Sequence, residues 1–225
     1  MIIEVLTMRA DYKNETMDPS GFVLLADLVP GIIQEIRYYS TYNFVGDRID
    51  GYEEPCALLT KEAARALKTA NTELSVKGYR LKVFDAYRPA RAVKHFIFWG
   101  IEDQDIRMKP YFYPDLEKQE LFSKGYIAKQ SSHSRGSTID ATLLDMKTGK
   151  ELDMGSPFDL FSEASHIDYR NITDEQIENR MILQNAMVRN GFSTLDCEWW
   201  HFTLKNEPYP DTYFDFPVSS EYLKR

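Results

Sequence analysis

The residues Ser131–Asp145, SSHSRGSTIDATLLD, decide how the middle of the chain folds. Their second half, from Ser137 onward, is made largely of β-branched and aliphatic residues and predicts a strand that ends at Asp145. A turn sequence, Lys147-Thr148-Gly149-Lys150, follows directly. The first half is rich in serine and glycine, which predicts a loop that leads into the strand.

His133 stands in this loop, and Asp140 follows seven residues later inside the predicted strand. Residues seven apart on one straight strand point to opposite faces of a sheet. The two side chains can therefore share a site only if the chain bends between them. Gly136 can adopt the backbone conformation that such a bend requires, so we predict a bend at Arg135-Gly136.

Helices and strands are predicted on both sides of this segment. Alanine and leucine recur at helical spacing over residues 60–77, where Thr60 can cap the helix and Gly78 can end it. Alternation predicts a strand at 79–85, and Pro89 begins a helix that runs to about Gly100. Further predictions are a strand at 34–39, a surface excursion at 101–124, a helix from Thr173 to Gly191 with a capping box, and a strand at 197–204.

These elements favour one fold class. Strands and helices are partly segregated along the chain, and the later strands have hairpin-like links. This order favours an α+β fold, with a mostly antiparallel central sheet and flanking helices, over a doubly wound fold. A length of 225 residues suits a single domain that spans residues 1–225.

Composition narrows the class of protein. Hydrophobic residues make up 43% of the chain and aromatic residues 13%, as expected of a globular protein. The net charge is −8 and no lysine or arginine stripe is present, so a nucleic-acid partner is not expected. Every apolar run is too short to span a bilayer, so a membrane partner is not expected either.

The N-terminus and the cysteines bear on location. The first 18 residues have no basic start and no apolar stretch of signal-peptide length, which predicts a cytoplasmic protein unless a leader has been removed. Cys56 and Cys197 are expected to be reduced core residues rather than a disulfide framework. The position of Cys197 beside Glu198 leaves a modulating role open. The oligomeric state is also open, a homo-oligomer included.

A second chemically informative segment is Glu198-Trp199-Trp200-His201. It is aromatic and strand-like, yet residues three apart face opposite sides of a regular strand. Either a bulge lies at Trp199-Trp200, or Glu198 belongs to the loop before the strand. By itself the segment also fits a packed aromatic strand with an incidental histidine.

His133, Asp140 and His201 together supply the side chains of a three-ligand zinc site with an open fourth position. Such a site supports chemistry on bound water, and Glu198 is placed to exchange its proton. The other two histidines are not expected to be ligands: His95 lies inside a predicted helix, and His166 lies in a polar loop.

The motifs resemble those of the D-alanyl-D-alanine dipeptidases, zinc peptidases related to D,D-carboxypeptidases and to the Hedgehog signalling domain. The family patterns stand here as Ser131 to Asp140, Glu198 to His201, and Asp85-Ala86-Tyr87-Arg88-Pro89. Weaker matches are Tyr42-Asn43-Phe44-x-Gly46, Met154-Gly155-Ser156-x-Phe158-Asp159, Glu207-Pro208-Tyr209-Pro210 and Tyr213-Phe214-Asp215-Phe216-Pro217. Departures at Thr138 and Tyr42 touch no proposed ligand, but they leave the pocket size and the tolerated C-terminal residue of the substrate open.

The resemblance implies a Hedgehog/D,D-peptidase-like fold, one Zn²⁺ per chain on His133, Asp140 and His201, and Glu198 as general base and acid. It implies further that Arg88 stabilises the oxyanion, Asp159 holds the substrate ammonium, and Ser131 lies near the substrate terminus. Each of these three has a simpler interpretation from the sequence. Arg88 fits a surface arginine after a strand, Asp159 a helix cap or solvated loop carboxylate, and Ser131 a backbone cap.

The implied activity is hydrolysis of the small D,D-dipeptide D-alanyl-D-alanine by a cytoplasmic zinc metallopeptidase. Two alternatives stay open at this point. One is a D,D-carboxypeptidase that trims longer muropeptides. The other is a zinc-binding module without catalysis, which would need neither Glu198 nor Arg88. Either glycopeptide resistance or recycling of cell-wall D-alanine fits the dipeptidase activity.

Overall fold

A computed structural model of the chain describes residues 14–102 and 104–224. Its central sheet has five strands in the order β3-β5-β6-β8-β7. β3 pairs with β5 in parallel, and the other neighbours pair antiparallel. The strands are β1 (Glu15–Thr16), β2 (Phe22–Leu24), β3 (Ile33–Gln34), β4 (Leu58–Thr60), β5 (Tyr79–Asp85), β6 (Thr138–Asp145), β7 (Phe192–Leu195), β8 (Glu198–Leu204) and β9 (Tyr213–Phe214).

Two small sheets are also present: β1 pairs with β9 in parallel, and β2 pairs with β4 antiparallel. The helices are α1 (Leu25–Leu28), α2 (Lys61–Val76), α3 (Ala90–Ile101), α4 (Lys109–Phe112), α5 (Lys118–Ser123) and α6 (Asp174–Arg189). α2 packs against β5 and α6, and α6 packs against β7. The α+β class with a mostly antiparallel sheet is therefore confirmed.

Local capping explains why the long helices begin where the sequence predicts. The Thr60 hydroxyl accepts a hydrogen bond from the Ala63 amide at 3.4 Å, and Gly78, at φ 86°, follows the end of α2. At α6, Thr173 and Gln176 form the predicted capping box. The buried side chains of α2 pack into the core that the sheet covers.

Two predictions on the early chain are wrong in part. The strand predicted at 34–39 ends at Gln34, and Arg37–Tyr39 forms a 3₁₀ turn. This turn directs Tyr38 inward, where the side chain is buried and its hydroxyl donates to Asp159. The segment 101–124 is more than a surface excursion, because its apolar side chains pack into the core and order α4 and α5.

Cys56 and Cys197 are free and half-buried, so the prediction of unpaired cysteines is confirmed although neither is fully in the core. Burial raises the pKa of these thiols to about 12 and about 11, respectively. No helix within 14–102 and 104–224 is both long and apolar enough to cross a membrane. The prediction that the N-terminal residues do not form a signal peptide depends largely on residues 1–13, which lie outside the described residues.

Candidate active site

The segment that carries His133 bends as predicted. Residues Ser132–Arg135 form a 3₁₀ turn, and Gly136 follows in the left-handed conformation at φ 78°. A Cβ at Gly136 would lie 2.2 Å from the ring of Phe22, so the position also lacks room for a side chain. The bend brings His133 Nε2 to 3.3 Å from Asp140 Oδ1.

β8 brings the second motif to the same place. Asp140 on β6 stands opposite His201 on β8 in the antiparallel register. The register with β7 shifts between Thr194, which pairs with Phe202, and Leu195, which pairs with Glu198. Of the two alternatives left by the sequence, the bulge is therefore confirmed. It places Glu198 Oε2 3.4 Å from His201 Nδ1, on the same side of the sheet.

Three potential metal donors converge at this point: His133 Nε2, His201 Nδ1 and Asp140 Oδ1. The two nitrogens are 3.3 Å apart, and Asp140 Oδ1 lies 3.2 Å from His201 Nδ1. A tetrahedral site with bonds of about 2.0 Å has edges of about 3.3 Å. The three spacings therefore fit one tetrahedrally coordinated ion.

Hydrogen bonds on the far side of each ring orient the donors inward. His133 Nδ1 donates to the backbone carbonyl of Ala86 at 2.7 Å, which leaves the Nε2 lone pair toward the cluster. His201 Nε2 has Ser132 Oγ and Thr203 Oγ1 at 3.3 and 3.4 Å. Asp140 Oδ1 is buried and makes no hydrogen bond. Buried lone pairs that face one another need a cation between them, so these residues fit a metal ion.

Electrostatics agree with an anionic carboxylate among the donors. Burial alone would raise the pKa of Asp140, but the two histidines hold it well below its usual value. Burial lowers the pKa of His133, so its ring is neutral, as a metal ligand requires. Burial also raises the pKa of Glu198, and its carboxylate is thereby better able to accept a proton.

A cavity of about 410 Å³ opens onto this cluster. It is lined by every site residue that the sequence predicts: Arg88, Ser131, His133, Asp140, Asp159, Glu198 and His201. Neither of the two family departures, Thr138 and Tyr42, lines it. Of the other histidines, His95 on α3 accepts from the backbone amide of Asp50 at 3.2 Å, and neither His95 nor His166 belongs to the metal cluster.

Arg88 enters the cavity from the turn between β5 and α3. Its Nε donates to Asp85 Oδ2 at 2.8 Å, and its Nη2 lies 3.5 Å from Asp140 Oδ2. The guanidinium stacks over Tyr38, 4.8 Å from the ring centroid. Arg88 is thus a largely buried cation that Asp85 and Tyr38 fix in place, rather than a surface arginine.

Asp159 and Ser131 both line the cavity, from different loops. Asp159 is 5% exposed, and both of its oxygens accept from the Tyr38 hydroxyl, at 3.2 and 3.0 Å. Burial, with the neighbouring charge of Asp140, raises the pKa of Asp159 well above its usual value, and the charge of Arg88 offsets only part of that effect. Ser131 faces the cavity and also caps the 3₁₀ turn, accepting from the His133 amide at 3.3 Å.

Comparisons with known proteins point to one family. The profile of the D-ala-D-ala dipeptidase family matches residues 18–219. The chain belongs to this family. It is 43% identical to the D-alanyl-D-alanine dipeptidase of Enterococcus faecalis over 89% of this chain and 99% of the relative. It is 41% identical to the proteins of the same name from Enterococcus faecium and Streptomyces coelicolor, in each case over 88% of this chain and 98% of the relative.

Family membership makes the protein a metallopeptidase, and the structure adds residues that the sequence analysis did not assign. Asp85 accepts from Arg88 and, at 2.6 Å, from the Tyr52 hydroxyl. Asp85 belongs to the same family motif as Arg88, so the sequence did contain a signal for an acidic partner of Arg88. Tyr38 lies 121 residues from Asp159 in the sequence, and no local sequence pattern predicts that the two side chains meet.

Proposed function

We propose that this protein is a zinc-dependent dipeptidase that hydrolyses D-alanyl-D-alanine to two D-alanines. The carrying observation is one cavity that holds three inward-facing metal donors, Glu198, Arg88 and the buried carboxylate of Asp159. Relatives named for this activity align with nearly the whole chain, which supports a single dipeptidase domain over 1–225. A Hedgehog/D,D-peptidase-like fold and a cytoplasmic location stay predictions from the sequence.

Zinc is the metal that this donor set suits best. Two imidazoles and one carboxylate in a tetrahedral arrangement, with a fourth position open to the cavity, are typical of catalytic zinc. When bound, zinc would supply Lewis acidity to the scissile carbonyl and lower the pKa of a water molecule to about 7. Softer thiolate ligands play no part, because neither cysteine belongs to the cluster among the described residues.

Replacing His133 with alanine is expected to reduce the metal content from one zinc per chain to nearly none. The change removes one of the three protein ligands of the cluster, so that only Asp140 and His201 remain to bind the metal. Metal analysis of purified protein provides the measurement, and His95→Ala is the matched control, since His95 is a histidine outside the cluster. Full stoichiometry in His133→Ala would contradict the ligand assignment.

Glu198 is the proposed proton carrier. Its carboxylate lies beside His201, and burial raises its pKa toward the range in which a base can both take and return a proton. It takes a proton from the attacking water and delivers it to the amine that leaves. Both transfers occur within the one cavity that also holds the scissile bond.

Arg88 is the proposed partner of the negative charge that develops on the scissile carbonyl oxygen. An arginine side chain stays protonated throughout, and the ion pair with Asp85 keeps it oriented. Arg88 lines the cavity, and its Nη2 lies 3.5 Å from Asp140 Oδ2. A preorganised donor of this kind acts mainly in the transition state.

Asp159 is the proposed partner of the substrate ammonium. A buried carboxylate without a cation is unfavourable, and a protonated α-amino group supplies the missing charge. Ser131, which also lines the cavity, is proposed to lie near the substrate terminus. A cavity of about 410 Å³ suits a small peptide rather than a long stem.

N-acetylation of D-alanyl-D-alanine is expected to lower kcat/KM by at least about 10²-fold, since it removes the ammonium and leaves Asp159 unpaired. The comparison measures D-alanine release from the free dipeptide, from its N-acetyl form and from a pentapeptide that ends in D-alanyl-D-alanine. In Asp159→Ala, most activity on the free dipeptide should be lost. Comparable values for free and acylated substrates would overturn the dipeptidase proposal and favour a D,D-carboxypeptidase.

A further inference from the structure

Arg180 is a buried cation on α6, outside the cavity described above. Its side chain is 3% exposed. Burial lowers the pKa of Arg180 to about 10, and the nearby carboxylate of Asp153 offsets only part of that effect. Burying a guanidinium is unfavourable unless its donors are satisfied, so the partners of Arg180 are informative.

Those partners lie in a single loop, residues 154–166: three are backbone carbonyls, and the fourth is the Ser156 hydroxyl, 3.5 Å from Nη2. Nε donates to the Met154 carbonyl at 2.6 Å, at the start of the loop. At its end, Nη2 donates to the Ala164 carbonyl at 2.7 Å and Nη1 to the His166 carbonyl at 2.8 Å. The planar fork of one guanidinium therefore joins both ends of the loop.

Asp159 lies within this loop, and its backbone has a conformation that is unfavourable for a residue other than glycine. Its φ is 62°, and it is the only residue other than glycine with a positive φ among 14–102 and 104–224. The left-handed region is disfavoured for such a residue and persists where the surroundings enforce it. The neighbouring Phe158 is buried and stacks on Phe84 with ring centroids 4.6 Å apart.

A second contact ties the loop to the strand that carries Glu198. The indole nitrogen of Trp199 donates to Ser156 Oγ at 2.9 Å. Ser156 Oγ also lies 3.2 Å from the hydroxyl of Ser165, so it links the loop to itself as well. The guanidinium of Arg180 lies 6.0 Å from the Trp199 ring centroid. Loop and strand are thus held by one connected set of contacts.

From these contacts we propose that Arg180 is a positioning residue for substrate selection: it closes the loop 154–166 so that Asp159 faces the substrate ammonium. The inference rests on the proposed dipeptidase function. Arg180 touches neither substrate nor metal ligand, and it acts only through the loop. Its loss should therefore impair recognition of the free amino terminus more than the chemical step.

Arg180→Met tests this role, because methionine fills much of the same space but donates no hydrogen bond. We expect the ratio of kcat/KM for free over N-acetylated D-alanyl-D-alanine to fall about tenfold or more, mainly through a higher KM for the free dipeptide, since small displacements of binding groups cost up to about 10²-fold. Zinc content should stay at one per chain. Arg180→Lys keeps the charge without the fork and should restore the ratio in part.

Arg189→Met is the matched control, the same substitution on the same helix, at a half-exposed arginine that pairs with Glu73. It should leave the ratio unchanged. Hydrogen exchange supplies a measurement independent of activity: amides of 154–166 should exchange faster in Arg180→Met, while those of β6 and β8 stay protected.

The outcomes separate this proposal from the function on which it rests. If Arg180→Met lowers only the melting temperature, with the substrate ratio and loop exchange unchanged, Arg180 is merely structural and the proposal is overturned. If Arg180→Met does not fold, Arg180→Lys decides by the same two measurements. If the wild-type enzyme does not distinguish free from acylated dipeptide, the dipeptidase proposal fails, and unchanged exchange of 154–166 would separately reject the positioning role.

Discussion

Glu198→Gln should lower kcat by at least about 10²-fold, and up to about 10⁴-fold, with one zinc per chain retained. Glutamine keeps the size and a carbonyl acceptor of the glutamate but cannot take a proton. Glu198 lies 3.4 Å from His201, yet it is not one of the three converging donors. The change therefore removes proton transfer and leaves the metal site.

The measurement combines steady-state kinetics on D-alanyl-D-alanine with metal analysis of the same preparation. Glu178→Gln, the same substitution at an exposed position of α6, serves as control and should leave both values unchanged. If kcat is unaltered in Glu198→Gln while zinc is bound, Glu198 has no part in proton transfer. If zinc is lost, Glu198 is a ligand, and the three-donor assignment has to be revised.

Arg88→Ala should lower kcat by about 10²- to 10³-fold, with a much smaller change in KM. Loss of one preorganised donor to a developing oxyanion is worth about 3 kcal/mol. Because that charge exists mainly in the transition state, the effect belongs to kcat. Arg88→Lys keeps a charge but not the geometry of the guanidinium, so it should recover only part of the rate.

The same change also removes the partner of Asp85, whose carboxylate binds Arg88 at 2.8 Å. A loss of stability is therefore expected, and thermal unfolding should be measured alongside the kinetics. Arg91→Ala is the control, since Arg91 on α3 forms an ion pair with Asp215 at 3.0 Å and does not line the cavity. A rise in KM alone for Arg88→Ala would instead make Arg88 a clamp for the substrate carboxylate.

The predictions from sequence succeeded where short-range chemistry controls the outcome. The boundaries of α2 and α6 follow from Thr60 and from the capping box at Thr173, because a cap acts within one turn of its helix. Strand β5 was predicted at the bounds that the structure shows. The bend at Gly136 was required by the seven-residue spacing of His133 and Asp140, and it is present.

The errors arose where packing overrides local pattern. The predicted strand at 34–39 is broken because burial of Tyr38 turns the chain inward. The segment 101–124 contains many polar residues and two prolines, yet Phe112 and Leu121 reach the core and order two short helices. Local polarity did not indicate these contacts, because their partners come from distant parts of the chain.

Sequence by itself determined the types of residue available for the site and their local backbone, since both depend on neighbours within a few positions. It thereby identified His133, Asp140 and His201 as the donors that the structure brings together. Only the tertiary structure decided how segments distant in sequence meet. It set the strand register that places Asp140 opposite His201 and the contact of Tyr38 with Asp159. It also set the hydrogen bonds from Arg180 to the loop 154–166. These contacts form because burial leaves polar groups with no water to bind, and each must find its partner wherever the fold supplies one.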